Sequence, residues 1–296
     1  MAKGEAEKSR YCELGWCALV CASALVLSCG GIGCSPSLST GGAVRLQFDP
    51  QPNRGYLYRT AIEFPDGNFG KLEAVVVQEL EVLNRSENDR FRLGSTVREI
   101  RVTWAGGEWR SGGSEVPPDD LPSVLAPVVA LAGKCYLVDM DRWGAWYGAK
   151  VVQNRSEMIE ERKGSRLDAS HIGSFPFKML HLPRKAVARG DTWEKGDSMK
   201  LGGYLYRYRR IGRVVSIGDV TAEFESEHTV TSERMASESS DDDLGFPSPD
   251  TASWAMVNWR LDDGCLERCV FEDRITKPRQ IVYMKSETVL IRIETR

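Results

Sequence analysis

Period-two alternation of apolar and polar side chains marks this chain over residues 44–104 and again in its last hundred residues. Residues 44–48 read VRLQF and residues 56–64 read YLYRTAIEF. Residues 72–83 and 90–104 are longer runs rich in Val, Leu, Thr, Ile and Phe. In an extended backbone such runs send one set of side chains to each face. Pro65-Asp66-Gly67-Asn68 and the polar segment 84–89 bound them with turn residues. Strands joined by short turns pair as an antiparallel meander. The pattern resumes after residue 190, with strands expected at 204–211, 214–217 and 220–230. A hairpin of 254–261 and 265–275 then turns at Asp262-Asp263-Gly264, and a last strand runs over 281–293.

The middle of the chain reads differently. Residues 106–118 form a loop by composition. Asp119-Asp120 precede the apolar stretch 121–132, which Gly133 closes, so a helix is expected over 119–132. Pro122 suits its first turn, and Pro127 demands a kink. A hairpin of 134–140 and 145–152 follows, turning at 141–144. Residues 154–189 read as a helical or irregular linker, and 232–250 as a Ser/Asp-rich loop. GYLYR occurs at 55–59 and again at 203–207, and each half closes with a hairpin turning at glycine, Gly144 and Gly264. The expected fold class is mainly β (α+β). Two related antiparallel β modules, 44–153 and 190–296, form a curved sheet or half-barrel with covering helices.

The N-terminus carries an address. Lys3, Lys8 and Arg10 precede an uncharged apolar run at 16–27. That run is shorter than the roughly 20 residues a spanning helix needs, but it suits the core of a signal peptide. The other reading of it is an uncleaved apolar helix. Val26-Leu27-Ser28-Cys29 resembles the lipobox of bacterial lipoproteins, with an aliphatic residue at −3, a small one at −1, and the cysteine that takes the lipid. The resemblance implies a signal peptide at 1–28, lipidation of Cys29 and a flexible Ser/Gly-rich tether at 29–43. Cys34 is the second choice, since Gly31 occupies its −3 position.

Export permits disulfides. Cys265 and Cys269 are about 13 Å apart on one straight strand at ~3.3 Å per residue, too far for a bridge that needs Cα atoms about 4.4–6.8 Å apart. Cys135 with Cys265 or Cys269 is the expected pair.

Chemistry-bearing motifs are sparse. The chain has His171, His181 and His228, none in a metal-ligand spacing. It contains no GxSxG elbow, no P-loop and no GxGxxG after a strand. Asp139 and Asp141 flank a turn, which Asp favours for its own reasons. Asp241-Asp242-Asp243 lacks the alternation and the closing Glu of a calcium loop. Asn84 and Asn154 begin formal glycosylation sequons. Net charge is −3, which argues against general nucleic-acid binding, and the basic cluster Arg207, Arg209, Arg210 and Arg213 reads as a solvated strand face. No catalytic residue, metal or cofactor is expected.

Leu182-Pro183 leading to Gly190-Asp191-Thr192-Trp193, with the hairpin at Arg260-Leu261-Asp262-Asp263-Gly264, resembles a family of uncharacterised bacterial lipoproteins. That resemblance implies class and address and supplies no active-site residues. The functional expectation is a non-enzymatic, membrane-anchored exported lipoprotein in the cell envelope, on the periplasmic or outer surface. Its partners would be the membrane, through the anchor, and an apolar ligand such as a lipid, or an envelope protein. The alternative is an envelope hydrolase using scattered groups such as Asp139, Asp141 and His228.

Overall fold

The computed structural model describes residues 42–67, 70–86, 90–111, 117–152, 165–166, 181–201, 204–234, 250–277 and 280–295. The signal-like segment, Cys29, Cys34, His171, the 241–243 acidic run and most of the 154–189 linker lie outside the described residues.

The strands are β1 (Arg54–Gly67), β2 (Gly70–Arg85), β3 (Arg90–Trp104), β4 (Gly107–Arg110), β5 (Cys135–Asp141), β6 (Trp146–Val152), β7 (Ser165–Arg166), β8 (Thr192–Leu201), β9 (Tyr204–Ile217), β10 (Thr221–Arg234), β11 (Asp250–Arg260), β12 (Cys265–Lys277) and β13 (Gln280–Thr295). They form one 13-stranded sheet in the order β7-β6-β5-β3-β2-β1-β13-β12-β11-β10-β9-β8, with β4 on β3. The two parts of the chain meet where β1 pairs antiparallel with β13, Tyr56 opposite Ile293 and Thr60 opposite Thr288. A Thr60–Thr288 hydroxyl contact of 2.9 Å crosses that seam. Among the described residues no ladder joins β7 to β8, so the sheet is open.

The expected helical cover is corrected. Among the described residues the sole helix is α1 (Ala126–Val129), a single turn, in place of a helix over 119–132. Pro127 explains this. A proline is accommodated in the first turn, where its missing N–H is not needed, but it blocks extension towards residue 121. Gly133, at φ 67°, then ends the segment. Leu125 and Val128 are fully buried, so the apolar stretch plugs the sheet as a compact loop. Residues 107–110, expected in a loop, form β4.

The 44–48 run is also corrected. Its one ladder contact is an isolated bridge from Val44 to Val187. Leu46 and Phe48 are buried because the segment is a strap laid against the sheet, with the Phe48 ring edge-on to Phe91 at 5.4 Å. The strap is tied at several points. Phe48 N donates to Arg142 O at 2.7 Å, Asp49 N to Gly264 O at 2.9 Å, and Trp259 Nε1 to Gln47 O at 3.3 Å. It therefore links the β5–β6 turn to the β11–β12 turn.

A second link fixes the curl of the sheet. Leu182 N donates to Trp143 O in the β5–β6 turn at 3.0 Å. His181 O, one residue earlier, accepts from Trp193 Nε1 on β8 at 2.8 Å. Nine strand spacings separate β5 from β8, which is roughly 43 Å in a flat sheet at ~4.8 Å each. Two adjacent residues bridge that gap, so the sheet curls until its two arms face each other.

Burial follows the pleat. On β3 Phe91, Leu93, Val97, Ile100 and Val102 point inward while Arg90, Arg98 and Arg101 are exposed. Large inward aromatics such as Trp259, Tyr56, Tyr58 and Phe224 are essentially inaccessible, each contributing about 1.5–3 kcal/mol. Ion pairs line the outer face: Arg110–Glu99 at 2.8 Å, Arg268–Glu287 at 2.6 Å and Arg209–Glu194 at 2.7 Å.

The expected disulfide is corrected too. Cys135, Cys265 and Cys269 are free and buried. Cys135 packs with Leu137, Val152 and Leu83 in a small cluster apart from the main core that holds Cys265 and Cys269. β5 and β12 are five strand spacings apart.

Candidate functional site

The strand registers place inward side chains in rows across the sheet. One row runs Val214, Phe224, Val257, Cys269 and Thr288 from β9 to β13. It continues across the seam through Thr60 to Val76 and Ile100. The next row contains Trp193, Gly212, Ser226, Ala255 and Phe271. These rows make an inner wall that is apolar with a few hydroxyls.

The row beyond is polar. It runs Lys195 (β8), Arg210 (β9), His228 (β10), Ser253 (β11) and Asp273 (β12), each directly opposite the next. His228, Ser253 and Asp273 are 3%, 7% and 2% exposed. Ser253 Oγ donates to Asp273 Oδ1 at 2.6 Å. Ser226 Oγ lies 2.8 Å from His228 Nε2, an i, i+2 contact that a strand produces on one face. Burial pushes His228 down to about 3, helped by Arg210 and His181. The ring is therefore neutral at physiological pH, and its Nδ1 is buried without a hydrogen-bond partner.

His181, on the strand-to-strand crossover, stands beside this basic end. Burial first, then Lys195 and Arg210, lower it to about 4, with Asp141 opposing. The crossover is held by the Gly190-Asp191-Thr192-Trp193 segment. Gly190 takes φ 86°, and Asp191 Oδ2 accepts from Ala188 N at 2.8 Å. Trp193 lies against Gly212 and edge-on to Phe224 at 5.5 Å.

The scattered hydrolase candidates are engaged by other partners. Asp139 is held by Arg92 at 2.8 Å, and Asp141 Oδ1 accepts from Trp143 N and Ala145 N at 2.9 Å each, which is turn chemistry. The Asp273 carboxylate accepts from Ser253, and His228 Nδ1 meets no acceptor, so the Ser226–His228 pair lacks the orienting carboxylate of a triad. Among the described residues no cluster of His, Cys, Asp and Glu is arranged to hold a metal ion.

The basic cluster read as one solvated face is split. Arg207, Arg209 and Arg213 are exposed, whereas Arg210 is half-buried in the inward row. Sequence reasoning missed Lys195, Arg210, Ser226, Ser253 and Asp273. The available signal was phase: Ala222, Phe224, Ser226 and His228 share one face of β10, so polar residues occupy the inward positions of an apolar strand.

No protein-family model matches the chain. No curated protein matches it either. Among solved structures it is similar to one of lipovitellin, described for its lipid–protein interactions, at 12% identity and a TM-score of 0.44. The match covers 83% of this chain and 26% of the lipovitellin chain, so this chain spans about a quarter of that one's length.

Proposed function

We propose that this protein is an exported, lipid-anchored envelope protein that holds an apolar ligand against the inner face of a half-barrel, without catalysing a reaction. The observation that carries the ligand reading is the curled open sheet. Its inner rows are apolar from β9 across the seam to β3. A closed end, where strap and crossover tie the turns together, keeps the two arms facing each other. Such a concave apolar wall with a few placed polar groups is the form that small-molecule sites take. The address rests on the sequence: the apolar run 16–27 and Val26-Leu27-Ser28-Cys29, with the 29–43 tether placing the sheet near a bilayer.

Two measurements test this. Intact mass and membrane fractionation of the wild type beside Cys29→Ala address the anchor, with Cys34→Ala as the second variant. A diacylglyceryl-sized gain lost only in Cys29→Ala supports it, and an unmodified chain still carrying residues 16–27 overturns it. Organic extraction of the purified protein, followed by lipid mass spectrometry, addresses the ligand. Stoichiometric lipid in the extract is expected. A lipid-free protein that also fails to take up diacylglycerol abolishes the carrier reading.

A further inference from the structure

The strap and the crossover meet in an antiparallel bridge at the end of the sheet where the chain enters it. Val44 N donates to Val187 O and Val187 N to Val44 O, each at 2.8 Å. Val187 is buried, and the next side chain along an extended segment, Arg45, faces the other way. Arg45, Arg184, Lys185 and Arg189 are all exposed. Among the described residues none of the four makes an ion pair. The Arg184 guanidinium lies over the Trp143 ring at 5.2 Å, which seats it at the β5–β6 turn. Four cations thus gather on two short paired segments.

The neighbouring carboxylates are engaged elsewhere. Asp49 pairs with Arg85 at 2.8 Å, Asp262 with Arg260 at 2.5 Å, and Asp263 with Arg54. Asp141 accepts from Trp143 N and Ala145 N, and Asp191 from Ala188 N. Asp219, exposed in the β9–β10 turn, offsets one charge. The chain as a whole carries −3. This end is therefore basic on a mildly acidic body, an asymmetry that orients a protein in the field of a charged surface.

The point of entry supplies an independent observation. Cys29 lies fifteen residues before Val44. Fully extended, that length reaches about 50 Å, and a Gly/Ser-rich chain of that length averages about 20 Å. We propose that Arg45, Arg184, Lys185 and Arg189 form the face that this protein lays on an anionic phospholipid surface, with the strap end of the sheet towards the bilayer. This rests on the anchor reading for its address. A negative surface potential acts on cations only within about a Debye length, roughly 8–10 Å, and a tether that ends at the patch itself holds it in that range. Val220, 60% exposed, shares this end: its carbonyl accepts from Leu261 N, beside the β11–β12 turn that the strap contacts.

The test mixes the full-length chain with vesicles of phosphatidylcholine alone or with added phosphatidylglycerol. Acylation of Lys185 by an amine-reactive acetate ester, read by peptide mass spectrometry, is the footprint. Lys134, exposed at the far end of β5 from the strap, is the internal control. Phosphatidylglycerol vesicles should slow acylation of Lys185 roughly tenfold more than phosphatidylcholine vesicles do and leave Lys134 unchanged. Molar sodium chloride, with a Debye length of ~3 Å, should abolish the difference. Combining Arg45→Gln, Arg184→Gln and Arg189→Gln keeps the reporter and should remove its protection, with thermal melts confirming that the variant folds. Each single change should weaken the phosphatidylglycerol preference about fivefold, and Arg274→Gln, exposed on β12, should not. Cys29→Ala should keep the preference, because the charges do not depend on the lipid. Equal acylation of Lys185 on both vesicles overturns the basic face, and a lipidated chain giving that result leaves the anchor standing. Protection that survives the triple change overturns the assignment to these cations. Protection by dextran sulfate but not by phosphatidylglycerol vesicles overturns the bilayer in favour of an anionic polymer.

Discussion

The Trp193 indole occupies the space that a side chain at Gly212 would need: a Cβ built on Gly212 falls 2.2 Å from two carbons of the ring. The two residues are direct cross-strand partners. Trp193 also donates to His181 O at 2.8 Å, so this stacking fixes β8 to the crossover. Gly212→Ala therefore pushes the indole off its seat and strains the contact that curls the sheet. The expected loss is about 1–3 kcal/mol, the usual cost of overpacking. Gly196→Ala on the neighbouring strand is the control, since its Cβ meets nothing closer than Tyr208 O at 3.9 Å. Urea melts of the two variants beside wild type decide it. Equal midpoints for all three would remove Trp193 from the role assigned to it.

Gly264 makes the corresponding contact for the strap. It has φ 52°, and a Cβ there would lie 2.5 Å from Asp49 N and 2.8 Å from Gln47 O. Both neighbours are backbone atoms, which cannot rotate away. Gly264→Ala combines left-handed strain with displacement of the strap from the β11–β12 turn, costing roughly 2–4 kcal/mol. Limited proteolysis near residues 44–49 should then quicken before the sheet itself unfolds. Wild-type cleavage rates in the variant would show that the strap does not depend on this glycine.

The strands were legible because alternation is a local signal, and the hairpin turn at Asp262-Asp263-Gly264 was legible because it has characteristic turn residues. The polar row was not. Lys195, Arg210, His228, Ser253 and Asp273 lie 15–25 residues apart in the chain, and only the register brings them together. A one-residue slip would send any of them to the opposite face. The bulges at Val215 on β9 and Glu267 on β12 shift the phase in ways the alternation does not announce. The cysteine pairing failed for the same reason. It required the strand order, and nothing local says that β1 and β13 would come between β5 and β12. The helix over 119–132 failed because apolar content was read as helical periodicity although Pro127 limits the segment to one turn.

His228 predicts a pH dependence of known sign. Burial holds it near 3 in the fold, whereas an unfolded histidine titrates near 6.5. The unfolded chain thus binds the extra proton first. The contribution is fully present above about pH 6.5, is lost progressively as pH falls towards 3, and changes no further below that. The slope reaches at most about 1.4 kcal/mol per pH unit for one such group. His181, held near 4 chiefly by burial, acts in the same direction with more solvent screening. Stability measured by urea unfolding between pH 7 and 4.5 should fall more steeply for wild type than for His228→Gln. Parallel curves would mean that His228 is solvated in the folded protein.

The two cysteines of β12 should be chemically silent while the sheet is folded. Burial raises both to about 12, with Asp263 adding to the effect at Cys265. Reactivity belongs to the thiolate, and at pH 8 that fraction is then on the order of one in ten thousand. Neither thiol is crosslinked, so dithiothreitol should leave the melting temperature unchanged as far as Cys135, Cys265 and Cys269 are concerned. Iodoacetamide at pH 8 should leave Cys265 and Cys269 unlabelled in the native protein and label both in urea, read by peptide mass spectrometry. Rapid native labelling of Cys269 would mean that the inner wall opens to solvent at that row.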